Sequence, residues 1–329
     1  MDAWIERQEN DCFWQFKASA DFDEILASNL RCWDFLEWMN AEERCEEAIY
    51  TDVACCVAQK ANSVSPFEVA LTLIVKRSDS LERSVVVSGQ GLLSLETTMS
   101  RMVQWLSQDP GSDQFDVTIK AFASQPRQLA PTIPRISGLG TVRFHFLHFK
   151  ESVQFEDVKE IEFRQCTHLP EVWASHSFSD TTRRITMSCS MPELANFVLP
   201  QKVPEVDLVL HFFLTGPPWD KLCSSLQTNT ALQSLSIQYL DISDADWLLL
   251  MTSLREHPSL RSLTMGFTDA FVDNYRRLTP ERRRTRSEAV LSTVRANECL
   301  TEITWPVFQQ DEEVALQIAA CLASKRSTD

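Results

Sequence analysis

Apolar and polar residues alternate in the stretch ALQSLSIQYL, residues 231–240. Leucine or isoleucine stands at Leu232, Leu235 and Ile237, and the residues between them are mostly polar. The LxL part of this spacing predicts a short β-strand with one buried face, because successive side chains of a strand point to opposite sides of the sheet.

The same LxxLxL pattern occurs twice more along the chain. Its further copies are Leu260, Leu263, Met265 and Leu300, Ile303, Trp305. The step from Leu232 to Leu260 is 28, and the step from Leu260 to Leu300 is 40, which is one period of 28 with an insertion of 12. The segments just before each strand align in phase as SLQTNTAL, SLREHPSL and TVRANECL. A fixed period with one insertion predicts a repeated structural unit.

Weaker copies precede these three. They are centred on Leu139, Val142, Phe144; Val158, Ile161, Phe163; Ile185, Met187; and Val203, Val206, Leu208. Their spacings, between 19 and 29, fall in the size range of one repeat family. The segment after each strand is predicted to form a helix. Two helix starts are visible, at Ser243 before DADWLLL and at Thr279 before Pro280 and Glu281.

These motifs resemble leucine-rich repeat proteins with ribonuclease-inhibitor-like repeats of period 28, whose pattern is LxxLxLxxN/CxL. The resemblance is strong over 219–309 and extends in degenerate form from about position 136. Cys166 stands at the N/C position of its copy, whereas Leu240 departs from it. The resemblance implies an α/β solenoid with a curved parallel sheet, outer helices and a protein-binding concave face.

The N-terminal part has a different character. Over 1–60, acidic side chains outnumber basic ones by fourteen to five. We therefore expect an acidic helical region over 1–64, a small α/β segment or eroded start of the solenoid over 65–130, and the repeat array over 131–329. We predict three strands and one helix within the middle segment, and the helix is predicted over SLETTMSRMVQWLSQD. The proline-rich stretch SQPRQLAPTIPRISG marks the boundary before the array.

Charge narrows the class of partner. The chain of 329 residues has a net charge of −15, which disfavours nucleic acid and anionic lipid as ligands and favours a basic or neutral protein. No apolar stretch reaches the length of about 18 residues that a membrane helix needs, so we expect a soluble cytoplasmic protein, with nuclear targeting left open. Ten cysteines without CxxC spacing indicate reduced, buried thiols, and only the vicinal pair Cys55 and Cys56 raises redox sensing as an alternative.

Sequence signatures of catalysis are absent. With 7 glycines the chain has no GxGxxG, GxxxxGK[ST] or GxSxG motif, and SGQGL at 88–92 is interpreted as a tight turn. His145 and His148 are interpreted as ordinary strand residues, and no metal or cofactor is expected. We predict a protein that is not an enzyme. An enzyme hidden within 65–130 remains the alternative from a different class.

Partner binding is predicted on the outward strand positions and on an arginine cluster, YRRLTPERRRTR, within the insertion. The candidate residues are Glu205, Asp207, His211, Ser234, Ser236, Gln238, Ser262, Thr264, Glu302, Thr304, Arg282, Arg283 and Arg284. The arginines are interpreted either as a solvated helix face or as a binding site for an acidic segment, of a partner or of the protein's own N-terminal region. The alternative function is an adaptor or substrate-recognition subunit, such as a ubiquitin-ligase-like component or a small-GTPase regulator.

Overall fold

The structure is a computed structural model that describes the following residues: 5–7, 14–16, 31, 33–34, 36, 69–77, 83–89, 92–121, 133, 135–168, 170–189, 199–210, 217–238, 243–266, 278–305 and 312–327. The chain divides into two compact units, Met1–Thr182 and Arg183–Asp329. Both contain parallel strands, and the expected mixed α/β class with mostly parallel pairing is confirmed. Cys55, Cys56 and His211 lie outside the described residues.

Among the described residues of the first unit are twelve strands, two continuous α-helices and one 3₁₀ helix, and Trp33, Asp34 and Leu36 are also helical. The strands are β1 Ile5–Arg7, β2 Trp14–Phe16, β3 Val69–Arg77, β4 Arg83–Gly89, β5 Phe115–Ala121, β6 Arg135–Ser137, β7 Thr141–His145, β8 His148–Phe149, β9 Gln154–Glu156, β10 Glu160–Arg164, β11 Thr167–His168 and β12 Ser177–Phe178. The helices are α1 Leu92–Ser107 and α2 Pro170–Ser175, with the 3₁₀ turn at Ser112–Gln114.

The predicted α/β segment within 65–130 forms one antiparallel part of this unit, and β1 and β2 pair antiparallel with each other. Strand β3 pairs antiparallel with both β4 and β5, and α1 falls between β4 and β5 in the chain, where the sequence predicts it. Strand β5 then pairs in parallel with β7, and β7 with β10. The buried side chains of these parallel strands align across the sheet: Val117, Val142 and Ile161 in one row, and Ile119, Phe144 and Phe163 in the next.

The segment 135–168 contains two successive units of three short strands each, which we call coils. Equivalent residues of the two coils are 19 positions apart in the sequence. Each of the three strands in the first coil pairs in parallel with its equivalent in the second: β6 with β9, β7 with β10, and β8 with β11. The turns repeat as well, since left-handed backbone occurs at Gly138 and Asp157, and again at Phe146 and Gln165. The predicted outer helix is wrong for this copy, because short extended segments close the coil instead.

An aromatic cluster fills the interior of these coils. Phe144 stacks on Phe163 with ring centroids 5.4 Å apart, and Phe155 stacks on Phe178 at 5.5 Å. Two histidines belong to the same cluster. His168 lies parallel to Phe149 at 4.8 Å, and the His176 ring is 5.2 Å from that of His168. The large rings fill the interior volume that aliphatic side chains fill in the second unit.

A few described residues of the acidic N-terminal region pack into the first unit. Trp33 is 8% exposed and stacks on Phe115 with centroids 5.6 Å apart. The backbone N–H of Trp33 donates to the Asp109 carboxylate at 2.7 Å. Leu36 is fully buried. At this point the acidic segment contributes to the core of the unit.

The second unit alternates strands and helices. Its strands are β13 Arg184–Cys189, β14 Glu205–Leu210, β15 Ser234–Gln238, β16 Ser262–Met265 and β17 Glu302–Thr304, all paired in parallel in that order. Its helices are α3 Pro217–Thr228, α4 Asp244–Arg255, α5 Pro280–Ala296 and α6 Glu312–Arg326.

The strand register reproduces the repeat found in the sequence. Leu235 of β15 aligns with Val206 on one side and with Leu263 on the other, and Leu263 aligns with Ile303. Ile237 aligns with Leu208 and Met265 in the second apolar row. The prediction that these segments form adjacent parallel strands in phase is confirmed.

Both predicted helix starts are present. The Ser243 hydroxyl caps α4 by accepting from the Asp246 N–H, and the Thr279 hydroxyl caps α5 by accepting from the Arg282 N–H. Helix α5 has 17 residues against 12 in α3 and α4. Helix α5 is therefore five residues longer than its two equivalents.

Two tryptophans join successive helices in the same phase as the strands. Trp247 follows Trp219 by one repeat period, and both are fully buried. The Trp219 indole N–H donates to the carbonyl of Asp246 at 3.0 Å, and the Trp247 indole donates to the carbonyl of Arg286 at 3.2 Å. Each indole thus reaches the equivalent turn of the next helix.

A ladder of side-chain caps lies where each helix turns into the next strand. Asn229, His257 and Asn297 occupy the same repeat position and accept from the two backbone N–H groups at the start of the following LxxLxL segment. The Asn229 amide donates to the Pro200 carbonyl at 2.9 Å, and the Asn297 amide donates to the carbonyls of Leu254 and His257. These bonds satisfy buried backbone groups of two neighbouring repeats at once.

Candidate protein-binding surface

The outward positions of the second unit's strands form two polar rows, which we call the sheet face. The first row is Arg184, Glu205, Ser234, Ser262 and Glu302. The second row is Thr186, Asp207, Ser236, Thr264 and Thr304. Because the intervening apolar side chains point to the opposite side of the sheet, all of these side chains share one surface.

Exposure differs along the two rows. Glu205, Glu302 and Thr304 are exposed, as is Gln238 at the end of β15. Ser234, Ser262, Thr264 and Asp207 are half-buried. Ser236 is only 9% exposed, so this predicted contact residue offers little area to a partner. The centre of the sheet face therefore carries short, partly buried hydroxyl side chains, and the exposed carboxylates of Glu205 and Glu302 lie on either side of it.

The charges of the sheet face are unevenly matched. Asp207 accepts a hydrogen bond from Arg184 Nε at 2.6 Å, which neutralises that carboxylate locally. Within the part of the chain that the structure describes, no side chain pairs with Glu205 or Glu302. The described sheet face thus presents two unmatched carboxylates around short hydroxyl side chains, an arrangement that favours donor groups on a partner.

The three predicted arginines have different environments. Arg282 is bonded to Asp244, and Arg284 pairs with Glu288 on its own helix at 2.8 Å. Arg283 is 7% exposed. Arg276 and Arg277 lie outside the described residues. The prediction that the arginine cluster docks an acidic segment stays a prediction.

Arg286 of the same cluster has an internal contact. It is 4% exposed on its side chain, donates to Asp244 Oδ1 at 2.6 Å and lies over the Trp247 ring at 5.5 Å from the centroid. Burial raises the Asp244 pKa, but the hydrogen bonds from Arg282 and Arg286 outweigh it, and the pKa lies below its ordinary value. This part of the cluster ties α5 to the start of α4.

The outward positions of the first unit carry a denser charge network. Arg143 lies between two carboxylates, 3.4 Å from Asp116 and 3.3 Å from Glu162. His145 Nε2 is 3.8 Å from Glu162, yet burial and the positive charges of Arg164, Lys120 and Arg143 lower the His145 pKa to about 4. The imidazole is therefore neutral near pH 7, and its contact with Glu162 is not an ion pair.

Two other histidines of the first unit, His168 and His176, have lowered pKa values. Burial and the neighbouring His176 and His148 hold the pKa of His168 well below its ordinary value. Burial lowers the pKa of His176 to about 4, and its Nδ1 accepts from the Val153 N–H at 2.9 Å. No group of three or more potential metal ligands occurs among the residues that the structure describes.

Cys166, which stands at the N/C position of its sequence copy, bonds to a neighbouring backbone carbonyl. The thiol is buried and donates to the carbonyl of Phe144 at 3.1 Å. Burial raises the pKa of this thiol to about 12, so it stays protonated and unreactive near neutral pH. Cys166, Cys223, Cys299 and Cys321 are free thiols.

Comparison with known proteins leaves the family open: no protein-family model matches the chain, and no curated protein matches it. Across the described helices, none has the length and apolar character needed to cross a membrane.

Proposed function

We propose that the chain is a non-enzymatic protein-binding module of the leucine-rich repeat type, whose sheet face, on the concave side of the array, contacts a protein partner. The strand register carries this proposal, because it aligns the buried side chains of Val206, Leu235 and Leu263 inward and a continuous set of polar side chains outward. Contacts in the same phase support it further. Trp219 and Trp247 each bond to the following helix, and Asn229 and Asn297 each bond to a backbone carbonyl of the preceding segment. A row of side chains fixed on rigid strands suits an extended interface.

The chemistry of the sheet face favours a basic or neutral partner. Glu205 and Glu302 are exposed carboxylates beside hydroxyl-bearing positions, and the whole chain carries a net charge of −15. A lysine or arginine of the partner would pair with these carboxylates, and backbone or amide groups would bond to Ser234, Ser262 and Thr264. We place this function in the cytoplasm, where free thiols such as those of the second unit remain reduced.

Quantitative affinity purification of the full chain tests the proposal. Thr264→Arg inserts a long cation into the centre of the sheet face. Thr252→Arg is the matched control, because Thr252 is exposed on α4 and receives the same new charge. We expect a set of partners that Thr264→Arg loses and Thr252→Arg retains.

The outcomes separate the functional classes. An identical partner set for the wild type and Thr264→Arg would overturn the proposal. Ubiquitin-ligase subunits or a small GTPase in the lost set would favour the adaptor alternative.

A further inference from the structure

An open groove lies between helices α5 and α6 of the second unit. Its volume is about 940 Å³. Its lining includes Arg283, Arg284, Leu291 and Arg295 from α5 and Glu313 and Val314 from α6. The groove therefore combines an apolar strip with charged walls, as peptide-binding grooves do.

Arg283 is the unusual member of this lining. Only 7% of its surface is exposed, and its Nε has no hydrogen-bond partner. Among the described residues, no carboxylate forms an ion pair with this guanidinium. An arginine side chain stays protonated in proteins, so the burial of an unpaired guanidinium is unfavourable in the unliganded protein.

The neighbouring cations of α5 have partners. Arg282 and Arg286 share Asp244, and Arg284 pairs with Glu288. Arg295 donates to the Gln317 side chain at 2.9 Å. Arg283 is thus the buried cation of this lining without a partner among the described residues, and a carboxylate from another molecule would form a charge-assisted hydrogen bond with it.

We propose that this groove binds an acidic peptide segment of a second protein, with a carboxylate of the peptide on Arg283 and its apolar side chains on Leu291 and Val314. Glu281, Glu288 and Glu313 also line the groove. These acids balance the three arginines of the lining and repel any anion, a dianionic phosphate more strongly than a single carboxylate, so the peptide we propose carries one Asp or Glu at Arg283 and not an acidic run. The groove site is separate from the sheet face and extends the proposed function to a second contact.

Selection of random dodecapeptides by display on the full-length protein tests this site. We expect the enriched peptides to share an Asp or Glu next to apolar residues. Arg283→Met should weaken their binding at least about tenfold, because it removes the buried partner of the carboxylate. Arg261→Met is the matched control, since it removes the same charge from an exposed position outside the groove lining, and it should change binding by less than about twofold.

Further measurements separate the alternatives. If Arg283→Met fails to fold, Arg283→Lys is the variant to test. It keeps the positive charge but removes the planar guanidinium that binds a carboxylate through two N–H groups, and it should still weaken binding several-fold. Enriched peptides without acidic residues, equal binding to the Arg283 variant, or displacement of the peptides by millimolar inorganic phosphate would overturn the proposal. Thr264→Arg should leave peptide binding unchanged, so failure of the groove site and failure of the sheet face are distinguishable.

Discussion

Trp219 donates its indole N–H to the backbone carbonyl of Asp246, the residue that directly precedes the equivalent Trp247 of the next repeat. The bond is 3.0 Å long, and the Trp219 side chain is fully buried. The two tryptophans therefore link neighbouring helices by the same contact one period apart. Each bond contributes to the contact between two successive helices of the second unit.

Replacement of this tryptophan measures the link. Trp219→Phe keeps an aromatic ring and removes the donor, leaving a carbonyl without its partner, so we expect a loss of about 1–2 kcal/mol in the free energy of unfolding. Trp247→Phe should cost somewhat more, because it also weakens the cation–π contact with Arg286. Urea unfolding gives both values. Leu248→Ala, at a 41% exposed position, is the control and should change stability by less than about 0.5 kcal/mol.

Asn297 is expected to be among the most sensitive polar residues of the second unit. Its amide donates to two carbonyls and accepts from two backbone N–H groups, and it is 1% exposed. Asn297→Ala leaves these buried backbone groups without hydrogen-bond partners and should lower the free energy of unfolding by about 2–4 kcal/mol. Thermal and urea unfolding measure the loss. A change below about 0.5 kcal/mol, the size expected of an ordinary surface substitution, would show that the cap does not stabilise the turn.

The Asp244 site gives a prediction about charge. Asp244→Asn leaves Arg286 buried without its carboxylate, and we expect a loss of about 1–2 kcal/mol at pH 7. Because the Asp244 pKa is lowered in the folded protein, its contribution is present above the pKa of the unfolded carboxyl and is lost as pH falls through that of the folded one. Arg282→Met is the comparison and should cost less, since Arg282 is half exposed. Equal losses of unfolding free energy for Asp244→Asn and Arg282→Met would contradict the larger role given to the buried Arg286–Asp244 pair.

The buried histidines predict sensitivity to mild acid. His176 has a folded pKa of about 4 against 6.5 in the unfolded chain, so the unfolded state binds more protons below pH 6.5. Stability is therefore complete above pH 6.5 and falls as pH approaches 4. We expect His176 to contribute about 2 kcal/mol of lost stability between pH 7 and pH 5.

His176→Asn tests this assignment, because asparagine can still accept from the Val153 N–H and does not titrate. Urea unfolding at pH 7 and pH 5 should show a smaller difference for this variant than for the wild type, whatever its absolute stability. His148→Asn, at a half-buried position, should alter the difference less. An unchanged pH difference in His176→Asn would remove the buried histidine as the cause.

The strands of the second unit were predictable because one residue in two is apolar along LxL and the period of 28 exposes the repeat. The helix starts were predictable from Ser243 and Thr279, whose hydroxyls cap the backbone locally. Trp219 and Trp247, one period apart, carried the same periodic signal in the sequence, but a tryptophan in a helix predicts burial and not the carbonyl that its indole reaches.

The first unit was harder to predict. A spacing of 19 between Val142 and Ile161 leaves too little chain for a strand, a helix and two turns, and extended segments cover the distance with fewer residues. Left-handed backbone at Phe146 and Gln165 follows no glycine signal. The burial of Arg283 was also hidden, because a run of arginines in a sequence indicates charge and not which member faces the protein.

Site-specific photo-crosslinking tests the central claim most directly. A benzoylphenylalanine at Thr264 places the probe in the sheet face, and the same group at Thr252 places it on the exposed side of α4. On irradiation in the cells that make the protein, we predict a discrete protein adduct from position 264 that is absent from position 252. Adducts from both positions, or from neither, would contradict a binding role for the sheet face.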